Sequence, residues 1–158
     1  MANYQSQIPD VIKQLKQNAA RLSLRTAYEG QADIWEDMGK GKSGRVYGSH
    51  QASAPGESPA IDTFAYGQSI KVISDSDGFA TIGTDSELGP WLEYGTSKMA
   101  PRPHFAPAFA KMAESFKKGL DELMRGQNIT ATAPAPPQGI RGKIKSAISR
   151  VKGFFKRK

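Results

Sequence analysis

The chain has 158 residues, no Cys, 22 basic and 15 acidic side chains and a formal net charge of +7. That length suits one domain with room for a core and a tail. Without Cys, a disulfide framework and a thiolate metal site are excluded, and no apolar run approaches the ~20 residues of a membrane span.

The charge is local rather than global. Residues 141–158 hold eight of the basic side chains and no acid, which leaves 14 basic against 15 acidic residues elsewhere, a net of −1. The body is therefore nearly neutral, and the basicity is a C-terminal appendage of the kind that meets an anionic partner or stays solvated. The N-terminus lacks the basic-then-apolar pattern of a signal peptide.

Ile8, Val11, Ile12, Leu15, Ala19 and Leu22 fall at steps of three and four, the face of an amphipathic helix that packs on a core. Pro9 and Asp10 suit its first turn. The pattern predicts a helix over about residues 9–38, with Gly30 as a kink or break. Gly41-Lys42-Ser43 ends like a phosphate-binding loop, but Glu36 stands where that motif needs Gly, and a helix precedes it. Arg45 to Tyr47 reads as a short strand, and residues 48–60, rich in Gly, Ser, Ala and Pro, as a long loop. Loops of that length in small domains are functional or ordered by a partner.

Ser69–Ser74 and Phe79–Thr84 carry β-branched residues around Asp75-Ser76-Asp77-Gly78, a hairpin with Gly78 at a positive φ. The turn lacks the ligand spacing and closing Glu of a calcium loop. Trp91, Leu92 and Tyr94 form a short apolar cluster that Gly95 ends, with a backbone angle a side chain would oppose. Pro101, Pro103 and Pro107 stiffen the next stretch of chain. A second helix runs from Pro107 to about Arg125 and packs through Phe105, Phe109, Met112, Phe116, Leu120 and Leu123. Gly119 costs that helix about 1 kcal/mol relative to Ala, and Gly126 stops it.

These elements divide the chain into a body over 1–126, an Ala/Thr/Pro linker over 127–139 and a basic amphipathic helix over 140–158. The fold class is α+β: a long N-terminal helix and a second helix packed on a small antiparallel sheet, with the third helix tethered. In that last helix Ile144, Ile148, Val151 and Phe155 make an apolar stripe suited to docking on protein. Lys145, Lys152 and Lys156 then face solvent or DNA. Phosphate contacts alone need no apolar stripe.

No catalytic constellation stands out. His50 and His104 belong to no nucleophile signature, and Ser97-Lys98 lacks the spacing of Ser-x-x-Lys hydrolases. Two His and no Cys leave little for a transition metal. The expectation is a protein that is not an enzyme and uses no cofactor or metal.

Two blocks carry a family resemblance. Tyr94-Gly95-Thr96-Ser97-Lys98-Met99-Ala100-Pro101-Arg102-Pro103 resembles the aromatic-Gly-Thr-Ser-Lys-Met-x-x-Arg-Pro signature of tail-completion proteins of long-tailed bacteriophages. These are minor tail components that join head to tail. Gly44-Arg45-Val46-Tyr47, then residues 50–57 and Asp62-Thr63, are similar to the family's upstream segment, in the same order. The chain departs from the pattern at Phe64, where the family has Gly, and at His104-Phe105-Ala106-Pro107, where it has Phe-Leu-Arg-Pro.

The resemblance implies a structural virion protein, made in the host cytoplasm and placed in the neck or upper tail. It implies a homo-oligomeric ring, a hexamer by family analogy, that contacts head-completion and tail proteins, with DNA in the channel as a further candidate partner. Trp91, Tyr94, Gly95, Lys98, Met99 and Arg102 become the candidate subunit or neck interface, with the 48–60 loop as a second surface. The alternative is a module that binds nucleic acid or an anionic surface through its basic tail.

Overall fold

The structure, a computed structural model, describes residues 7–62, 65–74 and 77–132. It is α+β. In chain order it runs α1 (Ile8–Gly39), β1 (Val46–Tyr47), β2 (His50–Gln51), α2 (Ala65–Ser69), β3 (Ile70–Ser74), β4 (Ala80–Thr84), α3 (Leu88–Tyr94) and α4 (Phe105–Met124).

Helix α1 is continuous for 32 residues, about 48 Å at 1.5 Å per residue. Gly30 does not break it. A Cβ there would overlap Met112 of α4, and a Cβ at Gly119 would overlap Leu22 of α1. Each helix thus inserts a bulky side chain where the other has none, and the two glycines set the close approach. The pairs Leu22–Gly119 and Gly30–Met112 make the helices antiparallel. Arg25 reaches Glu122 at 3.1 Å, and Lys111 lies 3.8 Å from both Asp33 and Asp37.

The hairpin β3/β4 forms as its sequence suggests, with Ile70 opposite Thr84, Val72 opposite Ile82 and Ser74 opposite Ala80. Alternation turns Ile70 and Val72 inward and leaves Ile73 exposed. Ile70 and Ile82 join Ile34, Met38, Ile61 and Ala108 in the core. The hairpin is tied to α1 by Gln31 Nε2 donating to the Ile70 carbonyl at 2.8 Å, and by the Ala80 N–H donating to Ser23 Oγ at 2.9 Å.

Several expectations are corrected. The small antiparallel sheet is present as β3/β4, and β1 and β2, two residues each, form a second hairpin apart from it, closed through Gly48 at φ 61°. The loop over 48–60 therefore begins as a hairpin. Helices α2 and α3 were not anticipated, since five and seven residues give no helical period to read. Helix α4 starts at Phe105, two residues before Pro107, for a reason that lies in α3. Of its expected core face, Phe105 and Met112 do pack on the core. Ala108 and Gly119 are buried, while Phe109, Phe116 and Leu120 stay partly exposed. The small residues win the contact because they let α1 approach. Finally, the buried residues of α1 begin at Leu22, and residues 7–17 are all exposed, so the first half of its apolar stripe is not core.

Beyond Met124, α4 is stopped by Gly126, φ 77°, where the Gly126 and Gln127 N–H groups donate to the Leu123 and Glu122 carbonyls at 3.0 Å. The chain then reaches Ile129, which is buried. The amphipathic segment 140–158, the linker from 133, and Thr63 and Phe64 lie outside the described residues. Among the described residues, no helix is long and apolar enough to cross a membrane.

Candidate functional site

The site begins with how α3 stops. Gly95 takes φ 77° and ψ −176°, a region open to Gly alone. A Cβ there would lie 2.6 Å from the Met99 carbonyl oxygen and 2.9 Å from Pro101 N. The reversal lets Thr96 and Met99 pair, the Thr96 N–H donating at 2.8 Å and the Met99 N–H at 3.3 Å. Lys98 sits at the exposed tip. The chain folds back on α3 where the Arg102 N–H donates to the Leu92 carbonyl at 2.7 Å.

The two sequence blocks meet here. Arg102 Nε donates to Ser53 Oγ at 2.8 Å, Nη2 to the Ser53 carbonyl at 3.2 Å, and Nη1 to the Ala100 carbonyl at 3.1 Å. The Gly56 N–H donates to the Pro101 carbonyl at 3.0 Å. Arg102 is thus a clamp between the 48–60 loop and the 94–103 turn. The far side of the loop is held by Glu57, which accepts from Ser43 Oγ at 2.6 Å, the Ala54 N–H at 2.8 Å and the Ser43 N–H at 3.1 Å. The Ser43 hydroxyl, then the two N–H groups, hold its carboxyl down at about 2. Lys42 Nζ donates to the Asp37 carbonyl at 2.7 Å and to Ser58 Oγ at 2.6 Å. This loop needs no outside partner to be tied down.

Beneath the turn lies a polar network that the sequence did not reveal. The first helical turn of α4 has no side-chain cap at His104. Its N–H groups are capped from α3: Glu93 Oε2 accepts from His104 at 2.9 Å and Phe105 at 3.0 Å, and Oε1 from Ala106 at 2.9 Å. Pro107 has no N–H, so one carboxylate satisfies every orphan donor of that terminus. This is why α4 starts at Phe105. Burial pushes the Glu93 carboxyl up, but the three N–H donors and His104 outweigh it and hold it below its ordinary value.

The His104 side chain is 0% exposed. Its Nδ1 faces acceptors, Glu93 Oε2 at 3.1 Å and the Arg102 carbonyl at 3.2 Å, and so carries the proton. Nε2 then accepts from the Tyr66 hydroxyl at 2.6 Å. Burial holds His104 below its ordinary value against the pull of the Arg102 carbonyl and Glu93. Burial, with Glu93, pushes Tyr66 up to about 12. The arrangement resembles an acid-base triad in composition, with His104 buried at its centre, and its hydrogen bonds join α3, α4 and α2.

Helix α3 lies between two hollows. One, of about 300 Å³, is lined by Leu92, Met99, Arg102, Tyr66 and the His50–Asp62 pair. The other, of about 360 Å³, is lined by Tyr94, Pro90, Phe105, Phe109 and Ile82. Of the candidate interface residues, Met99 and Arg102 share the first hollow, and Tyr94 borders the second. Trp91 lines neither of them and is 50% exposed, while Tyr94 is 82% exposed. Glu93, His104, Tyr66 and Ser53 were missed as site residues, because no spacing in the sequence joins them. The candidate tail residues Ile144, Ile148, Val151, Phe155, Lys145, Lys152 and Lys156 lie outside the described residues. Compared with known family models, curated proteins and solved structures, the chain matches none.

Proposed function

We propose that this chain is a structural ring subunit of a bacteriophage neck, which completes the tail and joins it to the head. The observation that carries the reading is the union of the two signature-like blocks. Residues 44–57 and 94–103, separated in sequence, are clamped into one unit by Arg102–Ser53 and Gly56–Pro101. That unit continues from α3, whose Trp91 and Tyr94 are exposed, aromatic side chains of the kind an assembly contact favours. A ring uses heterologous contacts, so each subunit must present two different surfaces. The 48–60 loop and the 91–102 stretch, expected as two surfaces, share the first hollow, so the second hollow, beside Tyr94, Phe105 and Phe109, is the candidate for the other contact.

Lys98, at the tip of the turn, is the exposed cation for a neighbouring subunit or neck protein, and Arg102 acts by fixing that tip. The isolated subunit is a monomer or weak oligomer and becomes a ring, a hexamer by analogy, on docking. The deciding experiment is imaging the neck of the virion that carries this chain. A cyclic layer of this subunit between head and tail is expected. Its absence from the neck would overturn the reading. Deleting residues 140–158 separates the nucleic-acid or anionic-surface alternative, which predicts that all binding goes with the tail. The ring reading predicts that the body keeps its contacts.

A further inference from the structure

The first part of α1 carries apolar side chains that the described fold does not bury. Residues 7–17 are all exposed, and among them Val11 is 60% exposed, Ile12 48% and Leu15 52%. Steps of three and four put these three on one helix face. That face is apolar area a partner can remove from water.

The hollow of about 360 Å³ beside α3 has the complementary character. Ile82, Pro90, Tyr94, Phe105 and Phe109 give it apolar walls, and Gly83, Gly89 and Ala106 leave it room. The polar side chains of its lining are already engaged, Thr84 with Ser69 and Glu93 with the N–H groups of the α4 terminus. An occupant therefore gains little from polar groups and more from apolar ones.

The stripe cannot fill the hollow of its own chain. Ile82 and Phe105 pack with Ile34 and Met38, which places the hollow beside the C-terminal part of α1. Nineteen residues of continuous helix separate Leu15 from Ile34, about 28 Å. The two features meet only between chains, and every copy carries both. Charge favours the same pairing. The arm over 8–17 has Lys13 and Lys16 against Asp10, together with the positive end of the helix dipole. Residues 84–94 hold Asp85, Glu87 and Glu93 and no base. Asp85 already meets Lys71 at 3.0 Å and Glu93 caps α4, which makes the exposed Glu87 the rim carboxylate for the arm.

We propose that Val11, Ile12 and Leu15 of one subunit seat in the hollow formed by α3, α4 and β4 of the next copy. The contact is a helix laid in a groove, and it is heterologous because the two surfaces differ. The inference rests on the ring reading and names the occupant of its second hollow.

The chain has no Cys, so engineered thiols report the contact. Leu15→Cys and Ala106→Cys, both at exposed positions, are made in separate chains, mixed at submillimolar concentration and oxidised. A disulfide between the two variants, in excess of either variant with itself, is expected. Both substitutions in one chain should give a ladder of linked subunits. An excess of the Leu15→Cys homodimer would mean that the stripe meets its own copy. A mixed disulfide no more abundant than with Lys118→Cys, exposed on α4 outside the hollow, would mean that the arm does not seat there. Either result overturns the proposal. In sedimentation, Val11→Asp with Leu15→Asp should weaken self-association tenfold or more with the melting temperature close to the parent's. Unchanged association would also overturn it. The two readings fail separately: a ring imaged in the neck without the mixed disulfide removes this contact and keeps the ring, and the disulfide without a ring in the neck does the reverse.

Discussion

Gly95 and Glu93 show how single residues hold the α3–α4 connection. Gly95 combines a positive φ with backbone atoms packed where a Cβ would be. We predict that Gly95→Val costs on the order of 1–3 kcal/mol, read by denaturant unfolding, and displaces Lys98 and Arg102. A variant as stable as the parent would mean the turn is a permissive surface loop. Glu93 and His104 make a pH prediction with one sign. Both are held below their ordinary values of 4.5 and 6.5. A group lowered in the folded state stabilises above its unfolded value and loses that contribution as pH falls. Stability should therefore drop on acidification, from about pH 6.5 through the His104 part and below about pH 4.5 through Glu93. Thermal melts from pH 8 to pH 4 check this. Glu93→Gln should lower the melting temperature at pH 7 and flatten the acid fall, because the helix terminus loses its charged cap.

At the scale of elements, the α1–α4 packing sets two glycines against two different partners. In an isolated helix, Gly119→Ala would gain about 1 kcal/mol. Here the new Cβ meets Leu22, which is fully buried, and Arg25, which is paired with Glu122. Neither can give way freely, so we predict net destabilisation of about 1–3 kcal/mol from overpacking. Gly30→Ala meets only the thioether of Met112, a side chain that adapts. It should cost less than Gly119→Ala. Equilibrium unfolding of the two variants side by side is the check, and the reverse order would contradict this account of the close approach. The same geometry explains why Phe109, Phe116 and Leu120 of the bulky stripe stay partly exposed, while Phe105 and Met112 of the same stripe reach the core. A stripe reports apolar area, while helix approach is set by the smallest residues facing the partner.

For the whole molecule, the near-neutral body offers no long-range repulsion to association, and its exposed aromatics lie beside hollows. Trp91→Ala with Tyr94→Ala should weaken self-association or neck docking by about tenfold or more. Because both side chains are substantially exposed, the melting temperature should stay close to the parent's. Sedimentation across a concentration series, with and without neck components, measures it. An equal loss of stability and association would mean these rings pack the fold and do not present an interface.

Local periodicity and backbone chemistry are enough to specify the long helix α1, the β3/β4 hairpin with Gly78 at φ 88°, the stop at Gly126 and the break at Gly95. Each depends on a few neighbouring residues. Packing in three dimensions selects which half of the α1 stripe is buried, because that depends on where α4 and the hairpin end. It makes Gly30 a contact with Met112 inside a continuous helix. It turns Arg102 toward Ser53, 49 residues away, and makes Glu93 the cap of a helix that begins 12 residues later. Caps supplied from another element leave no motif, since the donors and the acceptor share no fixed spacing. The physical reason is that hydrogen-bond satisfaction and close packing are properties of neighbours in space, while a sequence displays only neighbours along the chain.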